Sequence, residues 1–222
     1  MYNKDGLTML IKSPDRRTRK RLATRQRISD TASRLFVERG FDEVTVDEIA
    51  EAADVARMTV FNHFSRKEDM FFDLDEEGRE DLLAALQKRD AGTSPIEALR
   101  LFAHWAVAEQ RPYIRFFETG NERFMETIRA SEALKARARA IRDELTDMLT
   151  IALAKAAGRH QPDPAANLAA SLLVATWEVG FIEAHRIFHQ SRDIEKANTA
   201  LLAIVDQGTR GLKAAVEGSP YT

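Results

Sequence analysis

Apolar side chains recur along this chain at the spacings of one helical face, and no convincing stretch alternates apolar with polar residues between turn signals. The pattern predicts a succession of helices with almost no strand. The first helix is expected from about Arg19 to Arg39, with Ile28, Ala32, Leu35 and Phe36 on one face and Gly40 as a left-handed terminator. Thr45 and Glu48 have capping-box spacing and open a short second helix whose Val46, Ile49, Ala50 and Ala53 face inward. A tight turn at 54–56 leads to a third helix, Arg57 to Phe64, offering Val60, Phe61 and Phe64 to a core. Ser65 and Glu68 repeat the capping-box spacing and predict a fourth helix of roughly 20 residues.

The pattern restarts at Ser94 as cap, Pro95 in the first helical position and Glu97 closing a third box, and it stops near Arg111 before Pro112. A broken helical region runs through Phe116, Phe117, Gly120 and Phe124. A long helix follows from about Ser131 to Ala157, ended by Gly158, then a loop at 160–164. Two more helices, to about Gln190 and from about Asp193 to Val216, precede a tail expected to fray. Nine or ten helices result, with a boundary near residues 65–70.

Composition adds exclusions. With 44% hydrophobic and 31% charged residues among 222, the chain falls in the globular range. Apolar runs such as Ala200 to Val205 are far shorter than the roughly 18 residues of a bilayer span, so no membrane segment is expected. The absence of cysteine removes disulfides, thiolate metal sites and cysteine nucleophiles. Met1 to Pro14 lacks a signal-peptide apolar core, which makes a cytoplasmic location the expectation. Charge is uneven: residues 1–72 carry 14 Lys and Arg against 12 Asp and Glu, a net of +2, and the rest a net of −4. Arg16 to Arg27 holds seven basic residues and no acid, a run that can meet phosphate, an anionic membrane or an acidic protein, or remain a solvated arm.

A long helix, a short helix, a three-residue turn and another short helix make the helix-turn-helix arrangement, whose last helix can enter the DNA major groove. Small or β-branched residues (Ala50, Ala53, Val55, Val60) suit the close, steep crossing of the second and third helices. Arg57, Met58, Thr59, Asn62 and His63 are left outside on the third helix. Arginine can bridge guanine O6 and N7, asparagine adenine N6 and N7, and threonine or methionine can touch a thymine methyl. Thr59 and His63 can equally donate to phosphate, and Lys67 at the start of the fourth helix, with the free N–H groups behind Ser65, offers a further phosphate site.

The run VTVDEIAEAADVARMTVFNHFSRKEDMF (Val44 to Phe71), preceded by RLFVERGF (Arg34 to Phe41), resembles the DNA-binding region of TetR-family transcriptional regulators. The family form is close to T-x-x-x-I-A-x-x-A-G-V-S-x-x-T-[LV]-[YF]-x-[HY]-F-x-x-K-[ED]. Thr45, Ile49, Ala50, Ala53, Val55, Thr59, Val60, Phe61, His63, Phe64, Lys67 and Glu68 match it. The resemblance implies an all-α fold: a basic arm over residues 1–18, a three-helix DNA-binding domain over 19–67 and a ligand-binding and dimerisation bundle over 68–222. It implies a homodimer formed by the last two helices on a palindromic operator in double-stranded DNA, with repression relieved by a small molecule. The residues it assigns to DNA are Arg19, Lys20, Arg25, Thr45, Arg57, Met58, Thr59, Phe61, Asn62, His63 and Lys67, although Phe61 and Phe64 also suit the core. Two positions depart from the form. Asp54 replaces the usual glycine, which aspartate tolerates in left-handed backbone. Ala56 replaces the usual serine, removing a helix cap worth about 1 kcal/mol.

Beyond residue 68, Phe102, Trp105, Tyr113, Phe116, Phe117, Phe124, Trp177 and Phe181 form an aromatic set that would line a ligand pocket between helices, or an ordinary core. His185 and His189 are one turn apart, but no HExxH pattern, Gly-rich phosphate loop or G-x-S-x-G occurs, so no metal, cofactor or catalytic residue is expected. Leu168, Leu172, Ala175, Val179 and Ile182 on one of the last helices, and Leu201, Ile204, Val205, Gly208 and Leu212 on the other, form stripes suited to a four-helix dimer interface or to an intrachain core. The rival reading is a ligand-binding bundle or enzyme that keeps the amino-terminal module without using it on DNA.

Overall fold

The structure is a computed structural model that describes residues 15–73, 75–114 and 123–222. Ten α-helices and one 3-10 turn occur among the described residues, with no strand. The chain divides into two compact units, one ending at Phe71 and the other running from Phe72 to Thr222.

In the first unit, α1 spans Arg16–Arg39 and begins three residues earlier than its apolar spacing predicts, because the Asp15 carboxylate accepts from Thr18 N at 2.7 Å and caps the helix there. Ile28, Ala32, Leu35 and Phe36 are buried along one face, and Gly40 ends the helix at φ +93°. Helix α2 (Val46–Ala52) opens on a complete capping box between Thr45 and Glu48. This box and Arg39, 2.7 Å from Glu48, pull the Glu48 pKa down to about 2. After α2 the chain turns on Asp54 at φ +52°, where Val55 N donates to Ala50 O at 3.0 Å and Asp54 N to Glu51 O at 3.1 Å. These two bonds make a Schellman turn with aspartate in the left-handed position. Helix α3 (Arg57–His63) starts on Ala56 with no side-chain cap, as its sequence predicts.

The single fourth helix expected from Ser65 is instead two. Helix α4 covers Lys67–Phe71 and α5 covers Asp75–Gln87. The Met70 carbonyl, which a continuing helix would occupy with its own N–H, accepts from the buried Ser29 hydroxyl at 3.0 Å. Burial of both Met70 and Phe71 ties this turn to the amino-terminal core. Ser65 Oγ donates to the Asp69 carboxylate at 3.0 Å, a partner its capping-box spacing with Glu68 does not predict.

The second unit packs α5, α6 (Pro95–Ala108), α8 (Glu132–Ala156), α9 (Pro164–Ser191) and α10 (Ile194–Ala215) around one core, with α7 (Phe124–Ala130) against α8. Ser94 caps α6 through Glu97 N, but the Glu97 carboxylate turns to Arg100 and Lys213 at 2.7 Å each and leaves the box half-formed. The tail is docked where fraying was expected: Tyr221 is fully buried, and its carbonyl accepts from Ile96 N, one of the free N–H groups at the start of α6. By length and composition alone, helix α9 is long and apolar enough to cross a membrane. Its apolar residues are dispersed among small and polar ones, so no unbroken run reveals them, and its buried face (Ala166, Ala169, Ala170, Leu173, Gly180, Ala184 and Phe188) packs in this unit.

Helices α9 and α10 approach closely: a Cβ at Gly208 would lie 2.2 Å from Thr176 Cγ2. Leu201, Val205 and Leu212 are buried within the chain. Gly208 and most of the large apolar residues on the α10 stripe therefore serve intrachain packing. On α9 the stripe divides differently, with Leu168, Ala175, Val179 and Ile182 exposed, Val179 at 53%.

Candidate nucleic-acid interface

Val60 is fully buried and Phe64, just past the helix end, is 2% exposed, so α3 turns one narrow face to the core. The opposite side carries Arg57, Met58, Phe61 and Asn62, all exposed, with Thr59 and His63 at its margins. Phe61 is 43% exposed and Met58 68%, so of the two phenylalanines that suited the core only Phe64 enters it. Phe64 stands four residues beyond the buried Val60 and shares its side, whereas Phe61 follows Val60 directly and is turned about 100° away from it. Thr45, Arg19 and Lys20 are exposed, and so are Arg16, Arg17, Arg21 and Arg27 of the basic run.

Three of the basic residues assigned to DNA are engaged within the unit. Arg25 Nη1 donates to the His63 carbonyl at 2.5 Å, with the guanidinium 4.3 Å from the Phe64 ring centre. This bond satisfies a carbonyl at the carboxyl end of α3 with a cation, the favourable sign for that pole. Lys67 Nζ donates to the carbonyls of Phe41 and Val44 at 2.8 and 3.0 Å and lies 4.1 Å from the Phe41 ring centre. Two of its three protons are thus committed to the loop between α1 and α2. Arg57 meets Asp47 of α2 at 2.6 Å. No feature of the sequence pairs these two residues, ten apart across a turn, and Asp47 is the residue of this face that sequence reasoning missed. Burial, then the nearby charges of Arg25 and Arg21, push the His63 pKa below its usual 6.5. Its ring is neutral at pH 7 and keeps one N–H to donate.

In the second unit, Tyr113, Phe102 and Trp177 form a ladder. Phe102 stacks on Trp177 at 5.5 Å and 11° and on Tyr113 at 6.3 Å and 22°. Trp105 lies 5.9 Å from Phe102, and Phe181 meets Trp177 edge-on at 6.0 Å. A Cβ at Gly78 would come within 3.3 Å of the Tyr113 ring, so this glycine lets α5 pass over it. The Tyr113 hydroxyl donates to Asp81 at 2.8 Å, and burial raises its pKa. Phe124 meets Phe72 edge-on at 6.2 Å, and Phe116 and Phe117 lie outside the described residues. Five of the eight predicted aromatics are thus brought together, largely against one another. Among the described residues, the indole Nε1 of Trp177 and Nδ1 of His185 are buried without a hydrogen-bond partner. A cleft of about 440 Å³ between α8 and α9 is lined by Arg142, Asp147, Val174 and Glu178 among others, and by none of the predicted aromatics. Among the described residues no cluster of three or more His, Cys, Asp or Glu could hold a metal.

The first unit is a helix-turn-helix module, and the second is a larger helical bundle. Residues 28–74 match the family model for bacterial regulatory proteins of the tetR family, so the amino-terminal module is that of the tetR family. The chain is 38% identical over 86 residues to the HTH-type transcriptional regulator TcmR of Streptomyces glaucescens, a match covering 39% of this chain and 38% of that one. Two solved structures extend the likeness of fold. One is a SmeT–triclosan complex, with a TM-score of 0.53 and 21% identity over 90% of this chain and 95% of that one. The other is NalD, described as the secondary repressor of the MexAB-OprM multidrug efflux pump in Pseudomonas aeruginosa, with a TM-score of 0.50 and 18% identity over 87% of this chain and 97% of that one.

Proposed function

We propose that this chain is a sequence-specific DNA-binding transcriptional regulator. It is a cytoplasmic, homodimeric repressor that leaves a palindromic operator when a small molecule binds its carboxy-terminal unit. The observation that carries the reading is the division of α3, where Val60 takes the core and Arg57, Met58 and Asn62 are left to solvent. That polar and apolar mixture can address base edges, and the exposed basic side chains of α1 can meet phosphate. The tetR-family match and the regulator and repressor descriptions of TcmR and NalD support the same reading.

Dimerisation is supported by the exposed α9 stripe and supplies the second recognition helix that a two-fold operator requires. Effector binding is supported by the two unpartnered ring nitrogens on α9. Trp177, Phe181 and His185 recur every four residues on one helix face, and buried polar groups without partners are costly unless something supplies the missing bond. A ligand releases DNA by favouring subunit arrangements in which the two recognition helices no longer match successive major grooves, about 34 to 36 Å apart.

The test is selection from a random duplex pool with the purified chain, followed by affinity against salt. Enrichment of a two-fold symmetric sequence with a steep salt dependence is expected. A folded dimer that enriches nothing at low salt defeats the reading.

A further inference from the structure

Arg57 is held in a way that leaves one edge of its guanidinium open. Both carboxylate oxygens of Asp47 sit on a single nitrogen, Nη1, at 2.6 and 2.8 Å. The Phe61 ring, one turn along α3, lies 5.5 Å from the guanidinium carbon. The Nε–Nη2 edge, with its parallel N–H groups, has no partner among the described contacts and lies at the first residue of α3. We propose that Asp47 and Phe61 are positioning residues that hold Arg57 as a guanine reader, so that each operator half-site carries a guanine recognised by this edge.

The inference rests on the DNA-binding reading and adds the base and the mechanism of its choice. An arginine left to itself spreads over many rotamers and takes any nearby phosphate. A carboxylate on Nη1 fixes the plane and half-neutralises the charge, and it repels a phosphate brought to the same group. The acceptors that then fit best are neutral, paired and coplanar, which describes O6 and N7 of guanine. The first residues of a recognition helix are those that reach base edges. Asp47 thus lowers general affinity for DNA while sharpening the choice at one base pair.

The experiment uses the full chain and the operator selected by the wild-type protein. Each operator guanine is replaced in turn by 7-deazaguanine, which lacks the N7 acceptor. Wild type is expected to lose about 5-fold or more at one guanine per half-site. Arg57→Ala should be indifferent to that replacement. Asp47→Asn should narrow the ratio by about 2- to 5-fold, the range of an exposed ion pair, while binding scrambled DNA more tightly. Phe61→Leu should narrow it similarly. The inference is overturned if Asp47→Asn keeps the full ratio. It is also overturned if Arg57→Ala lowers the log–log salt slope by about 1 with every base preference intact, which places Arg57 on phosphate. A wild-type protein that selects no sequence overturns the underlying DNA-binding reading itself, an outcome visible before any variant is made.

Discussion

Replacing Gly208 by alanine should force α9 and α10 apart. The new Cβ would lie 2.2 Å from Cγ2, 2.4 Å from Oγ1 and 2.9 Å from Cβ of Thr176, all inside the distance at which carbon and oxygen atoms can coexist. Rotating Thr176 moves the first two atoms at the cost of the 2.7 Å bond from its hydroxyl to the Leu172 carbonyl, but Cβ does not move with χ1. Overpacking of this kind costs about 1 to 3 kcal/mol, and three contacts below 3 Å argue for the upper end. Alanine returns about 1 kcal/mol through its helix propensity, leaving a net loss of about 2 kcal/mol. For a unit of this size that is a fall in Tm of about 4 to 8 °C. Both tryptophans, Trp105 and Trp177, belong to the second unit, so thermal unfolding followed by tryptophan fluorescence reads it selectively. Gly180→Ala is the control, because its closest neighbour, at 2.9 Å, is the flexible Cδ1 of Leu201, and its loss should be smaller. Thr176→Ala combined with Gly208→Ala should recover part of the stability by removing the two shortest contacts. An unchanged or higher Tm for Gly208→Ala, or a larger loss for Gly180→Ala, refutes the packing argument.

Lys67→Ala should destabilise the first unit by about 1.5 to 3 kcal/mol, the worth of hydrogen bonds from a charged donor, and leave the salt slope of DNA binding unchanged. Denaturant titration and affinity at several salt concentrations check both parts, and a slope lower by about 1 at unchanged stability would return Lys67 to phosphate. Ala56→Ser should supply the missing cap of α3 and stabilise the same unit by about 1 kcal/mol, measurable by circular dichroism. Stability should also fall as pH drops from about 7.5 to 5.5. Burial lowers the folded-state pKa of His63 and His185 below the usual 6.5, so below that value the unfolded chain binds more protons than the folded one. His185→Asn should flatten this slope in the tryptophan-detected transition, and a wild-type Tm already flat over that range contradicts the assignment.

The elements that sequence made legible are those fixed by local chemistry. Thr45 with Glu48 caps α2, Asp54 turns left-handed, Ala56 leaves α3 uncapped, and Ile28, Ala32, Leu35 and Phe36 bury one face of α1. Contacts between residues distant in sequence decided the rest. The Ser29 hydroxyl takes the Met70 carbonyl and the expected fourth helix is divided, the Tyr221 carbonyl satisfies Ile96 and docks a tail that composition marks as loose, and Asp47 meets Arg57. The stripes on α9 and α10 were visible as stripes, but their periodicity is the same whether the neighbour is the same chain or another. The Gly208–Thr176 distance and the burial of Leu201, Val205 and Leu212 assign the inner one to intrachain packing. The aromatic set was likewise legible as a group, while its stacking into a ladder depends on Gly78 clearing space above Tyr113.

Helix α3 has seven residues, too few to persist alone in water, and it is anchored from outside at both ends, by Asp47 on Arg57 and by Arg25 on the His63 carbonyl. Its shape is therefore on loan from α1 and α2. An excised α3 peptide would have no surface to read, and the backbone amides of this helix should open to solvent exchange together with those of its two supports. Met58, Thr59 and Asn62 take no part in either anchor, so they form a replaceable cassette: a chain can acquire a new vocabulary there without renegotiating its fold.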